Sequence, residues 1–190
     1  MVRLITLDTH YFRSGGTADS SATRRYRQDS NPLKTILGAG QWEWLEKELR
    51  QPADVRILES SIRVVNDEYG WDCWGNFLSE RRRFFELIAN TRANRVISVS
   101  GDRHFTELSR DRNTGIYPVY DFTASGLTQV ANRGHLVSNG KRVGLAMIVQ
   151  SFGGVIVDFT GPESSVVLQA FDDRGNAMSE HTVYLEDLQF

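Results

Sequence analysis

The chain has 190 residues, 40% of them hydrophobic, with 22 Lys plus Arg against 24 Asp plus Glu and a formal net charge of −2. That length and apolar content fit one globular domain with a real core, or part of a larger one, while the charge balance gives no basis for polyanion binding and sets nucleic acid aside. The single cysteine, Cys73, excludes an internal disulfide framework and a cysteine-based zinc cluster, so any metal must be held by Asp, His, Glu or Asn.

Val2-Arg3-Leu4-Ile5-Thr6-Leu7 alternates like a strand, with no preceding cap or turn, and reads as the middle of a domain. Nothing before it resembles an export signal, and no window approaches the roughly 18 apolar residues of a membrane helix. Residues 14–33 are rich in Gly, Ser, Thr, Asp and Arg and predict a long exposed loop, most simply a solvated connector. Gln41–Arg50 places Trp42, Leu45 and Leu49 on one helical face and is stopped by Pro52. Val55–Val65 predicts a buried strand ending in a loop around Ser60-Ser61. A second amphipathic helix, Phe77–Ile88, turns Phe84, Phe85 and Ile88 inward and Glu80, Arg82, Arg83 and Glu86 toward water or partners. Its Arg81-Arg82-Arg83 run reads as a solvated face plus one buried ion pair. Arg95–Ser100 is a short strand. Strand, helix, strand in succession argues for a βαβ unit, whose ligands gather at the carboxyl ends of the strands. After Tyr117 the pattern becomes short and β-rich (120–124, 147–150, 155–159, 166–171 and 182–185), which predicts a mostly antiparallel carboxyl-terminal third.

Two of the four histidines follow an Asp by two residues just past a strand, in Asp8-Thr9-His10 and Asp102-Arg103-His104. An Asp-x-His step at a strand end sends carboxylate and imidazole from one tight turn toward the same point, which suits a hard or borderline cation. Ser100-Gly101 strengthens the second case, because Gly removes a side chain where the strand turns. From the residues alone a second reading stays open for each: an Asp that caps the next turn and a His that packs on aromatics. His135 and His181 have no acidic partner at ligand spacing and read as structural or exposed. Cys73, between Trp71 and Trp74, reads as buried and inert. Thr123-Ala124-Ser125-Gly126-Leu127 reads as a tight turn whose hydroxyls satisfy backbone groups, with a supporting role beneath a metal ligand as the alternative. Gly-x-Ser-x-Gly, Gly-x-Gly-x-x-Gly, Walker and His-Glu-x-x-His motifs are absent.

Taken in order, Leu7-Asp8-Thr9-His10-Tyr11-Phe12-Arg13, Gln41-Trp42 with Trp44-Leu45, Ser60-Ser61, Trp74-Gly75-Asn76-Phe77 with Glu80-Arg81, Ser100-Gly101-Asp102-Arg103-His104, and Thr123-x-Ser125-Gly126-Leu127 with Phe152-Gly153 resemble the alkaline phosphatase D (PhoD-like) metallophosphatases. The resemblance spans residues 1–190 and corresponds to the carboxyl-terminal half of that family's catalytic domain. It implies an α/β (α+β sandwich) calcineurin-like metallophosphoesterase fold, two sheets flanked by helices, incomplete on the amino-terminal side. It implies metal-dependent hydrolysis of phosphate monoesters or diesters, with Asp102 and His104 as ligands of calcium, iron, manganese or zinc. Arg103, Ser125 and His10 fall in substrate-binding or supporting positions. The chain departs from the family at His10, where the usual pattern reads Asp-Thr-Arg. The remaining ligands belong to the amino-terminal half, which leaves a catalytically incomplete structural or partner-binding fragment as the alternative. Relatives are often exported, and an uncovered sheet would favour self-association.

Overall fold

The structure, a computed structural model, describes residues 1–21, 24–68, 70–132 and 139–190; His135 lies outside them. The opening alternation forms β1 (Val2–Leu7), which buries Ile5 and Leu7 and leaves Leu4 66% exposed. A short antiparallel pair, β2 (Thr17–Ala18) and β3 (Tyr26–Arg27), lies within 14–33. Helix α1 (Gly38–Leu49) buries Trp42, Leu45 and Leu49, the face given by the spacing. β4 (Val55–Ser60), α2 (Leu78–Thr91) and β5 (Val96–Ser100) form the expected crossover, with β4 and β5 parallel. β6 (Thr106–Asp111), β7 (Val119–Ala124) and β8 (Arg142–Met147) complete a six-stranded sheet in the order β1-β4-β5-β7-β6-β8.

Register fixes which residues share a face. Leu4, Ile57, Ile97 and Tyr120 stand in one row, and Leu7, Ser60, Ser100 and Thr123 in another. Ser60 accepts a hydrogen bond from Trp74 Nε1 at 3.1 Å, and Trp74 packs on Phe84 of α2 with ring centroids 5.3 Å apart, so α2 covers the Ser60 face. The second sheet, β9 (Ser151–Asp158), β10 (Ser165–Asp172) and β11 (Ala177–Tyr184), is antiparallel in the order β11-β10-β9 and covers the opposite face. Gly153 makes that contact: a Cβ there would meet Phe122 Cε1 at 2.6 Å and Ala124 Cβ at 2.8 Å. The protein is thus a mixed α/β layering of helices, a mixed sheet and a smaller antiparallel sheet.

Two expectations need correction. Glu80 is buried, not solvated: Oε2 accepts from Ile36 N at 2.7 Å and Thr35 Oγ1 at 2.8 Å, and both carboxylate oxygens accept from Trp42 Nε1 at 3.0 Å. Those donors offset the cost of burying the charge and staple α2 to the entry of α1. The mostly antiparallel carboxyl-terminal part is as expected: β8 to β11 pair antiparallel, and β7 is parallel to β5 on one side only. The strand expected at 147–150 lies earlier, as β8 ends at Met147. The rest of the second helix agrees with its sequence: Arg81 of the Arg run pairs with buried Asp111 at 2.9 Å, while Arg82 and Arg83 are exposed.

Candidate active site

The parallel strands β1, β4, β5 and β7 end side by side, and the loops that leave them interlock. The hydroxyls of Thr9 and Ser61 hydrogen-bond each other, and those of Ser100 and Thr123 do so at 2.8 Å. In the Asp102-Arg103-His104 turn, Asp102 and His104 adopt the left-handed backbone conformation, with φ of 68° and 56°. For residues with a side chain this costs on the order of 1 kcal/mol each, so neighbours must hold the turn. Ser125 does so. Its Oγ accepts the backbone N–H groups of both Arg103 and His104 at 3.0 Å, and the His104 carbonyl accepts from Ala131 N at 2.8 Å. The Ser125 hydroxyl therefore meets the backbone of the motif, the turn role read from the sequence. Gly101 is less constrained than its position suggests, because a Cβ there would sit 3.6 Å from Ser125 Cβ, an ordinary contact. The tight backbone belongs to the two residues that carry the candidate chemistry.

Around this turn lies a pocket of about 530 Å³ lined by Arg25, Trp71, Asp72, Asp102, Arg103 and His104, among others. Asp102 also borders a second cavity, about 440 Å³, between the two sheets against Val99, Phe122 and Val155. Asp102 is exposed as a residue, yet its carboxyl pKa is raised, first by partial loss of water and then by the charge of Asp72. Arg103, His104 and Arg13 pull the other way. Arg13 forms an ion pair with Asp72 at 2.9 Å, bringing the loop after β1 onto the loop after β4. The Arg103 guanidinium is buried over the Phe105 ring, 5.3 Å from its centroid.

The structure thus brings together Asp102, Arg103, His104 and Ser125. His10 is exposed on the loop after β1 and does not line the pocket; Asp8 caps that loop, accepting from His10 N and Tyr11 N at 2.9 Å. Those two backbone donors hold the Asp8 carboxyl below its ordinary pKa. Cys73 is fully buried and burial pushes its thiol pKa up, in line with an inert thiol. His181 is half-buried against Tyr120, with ring centroids 5.6 Å apart. Arg25, Trp71 and Asp72 were not singled out by spacing, because they arrive from distant loops; the only sequence signal was the Trp71–Phe77 run of aromatic and small residues.

A mixed α/β protein with polar and charged loops converging on the carboxyl edge of its parallel strands has the layout in which ligands bind at strand ends. A family model described as PhoD-like phosphatase matches residues 1–151, and the chain belongs to that family. A solved structure reported as "Structure of PhoD" matches with a TM-score of 0.63 at 20% identity, covering 96% of this chain and 43% of that chain. The chain therefore spans less than half the length of that relative. No curated protein matches it.

The family resemblance implies bound metal, and the donors present can be set against that. Asp102 and His104 leave one turn together, but among the described residues no three His, Cys, Asp or Glu side chains gather closely enough to hold an ion. Two protein donors do not close a site of this kind. The described residues do not by themselves fit a resident metal. Among the described residues no helix is long and apolar enough to cross a membrane.

Proposed function

We propose that this chain carries the strand-end part of a phosphoester-hydrolysing site, with the calcineurin-like architecture of its family and phosphate monoesters or diesters as substrates. The observation that supports it is the Asp102-Arg103-His104 turn, held in a strained conformation by Ser125 at the mouth of a pocket of ligand size. Within this reading Asp102 and His104 are this chain's contribution to a coordination set. Arg103 and Arg25 are among the residues that line the pocket, and their positive charge suits a phosphoryl group. Arg13, by pairing with Asp72, limits the build-up of negative charge beside Asp102.

A second reading is supported by the donor count among the described residues: a catalytically incomplete domain that serves a structural or partner-binding role. Hydrolysis of nitrophenyl phosphate and bis(nitrophenyl) phosphate by the full chain, with and without calcium, iron or manganese, separates the two. Turnover above that of Asp102→Ala supports the enzyme. Turnover no greater than that of the variant, with no bound metal, sinks the enzyme reading for this chain and supports the incomplete domain.

A further inference from the structure

Two of the four tryptophans are core: Trp42 is 2% exposed and Trp74 fully buried. Trp71 differs, standing 40% exposed on the wall of the pocket that contains Asp102, Arg103 and His104. It is also held from three sides. The Asn76 side-chain amide donates to the Trp71 carbonyl, and neighbouring Asp72 pairs with Arg13 at 2.9 Å. Preceding Gly70 offers its carbonyl to the backbone N–H groups of Arg25 at 3.0 Å and Tyr26 at 2.7 Å. The 14–33 segment is therefore fastened at β3 to the residue before Trp71, which gives it a placing role besides connection. Gly75 lets the loop close: a Cβ there would lie 2.5 Å from Asp67 Cα.

We propose that Trp71 is a specificity-determining residue that selects phosphoesters whose alcohol carries a planar aromatic group. This rests on the phosphoester reading of the same pocket. A cavity of about 530 Å³ leaves space beside a phosphoryl group for the organic part of an ester. Trp71 lines the same pocket as Asp102 and His104, and an indole stacks on a planar ring at low conformational cost. Arg25, on the hairpin fastened to Gly70, adds a cation to the same wall.

Binding of two non-hydrolysable probes to the full chain tests this: phenylphosphonate and methylphosphonate, each titrated in the presence of calcium. Wild type binds the phenyl probe roughly five- to tenfold more tightly, the range expected of one aromatic stacking contact. Trp71→Ala removes that preference and Trp71→Phe keeps most of it. Unchanged circular dichroism and melting temperature establish that the variants fold. Equal binding of the two probes, or a preference that survives Trp71→Ala, overturns the assignment and leaves the phosphoester reading intact. Binding of neither probe overturns both.

Discussion

Ser125 fixes His104 from beneath: one hydroxyl oxygen at the end of β7 accepts the His104 backbone N–H at 3.0 Å and the Arg103 N–H at the same distance, joining the turn after β5 to the next strand. Ser125→Ala leaves two backbone donors without that acceptor in a turn already bearing two left-handed residues. The expected loss is about 1–3 kcal/mol. Amide hydrogen exchange at Arg103 and His104 should quicken by more than in helix α1; unchanged exchange there would show that the hydroxyl does not hold the turn.

Gly75 and Gly101 should differ in tolerance, although each lies in a short motif beside the candidate site. Gly75→Ala drives a Cβ to 2.5 Å from backbone and should cost about 1–3 kcal/mol, lowering Tm by roughly 2–4 °C per kcal/mol in a chain of this size. Gly101→Ala meets only ordinary contacts, the nearest at 3.6 Å, and should leave Tm nearly unchanged. Thermal melts of the two variants check the contrast, and a reversed order would contradict the described backbone.

The pH dependence of stability has a definite sign at His181. Burial, and then the nearby Arg110 cation, lower its pKa below the ordinary 6.5, so the unfolded chain binds this proton more readily than the folded one. Its neutral form supports the fold above about pH 6.5, and that contribution fades as pH falls through the lowered native value. Denaturant titrations at pH 7.5 and 5.5 should show His181→Gln losing less stability on acidification than wild type. A larger loss in the variant would reverse the sign.

Uncovered sheet gives a prediction about association. Leu4 is 66% exposed and Val2 45% on β1, an edge strand of the six-stranded sheet, and β9 is an edge of the smaller one. Such edges and apolar faces favour pairing with another chain. Sedimentation of the full chain should show dimers or larger species that shift toward monomer in Leu4→Lys. A clean wild-type monomer that binds no hydrophobic dye contradicts this.

Much of the architecture was legible because its signals are local. Trp42, Leu45 and Leu49 at helical spacing specify the buried face of α1, and the strand-helix-strand order specifies the parallel crossover. β6 was illegible because its inward positions are polar: Glu107 is fully buried between Arg63 and Arg142, Arg142 Nε lying 2.8 Å away. A strand whose buried carboxylate is satisfied by guanidinium groups from two other segments has no apolar alternation to read. Glu80 misled for the same reason. At the site, Asp102 and His104 stood out because they share a turn, whereas Trp71, Asp72 and Arg25 reach the pocket only through tertiary contacts between loops.

Amide chemical-shift mapping of the full chain, titrated with phenylphosphonate in calcium-containing buffer, tests whether this chain meets a phosphoester at the Asp102-Arg103-His104 turn. A phosphoester site at the turn gives saturable shifts centred on Asp102, Arg103 and His104 and reaching Trp71 and Arg25, with the response weakened in Asp102→Ala. Shifts centred elsewhere, or none at residues 102–104 at saturating ligand, would contradict it.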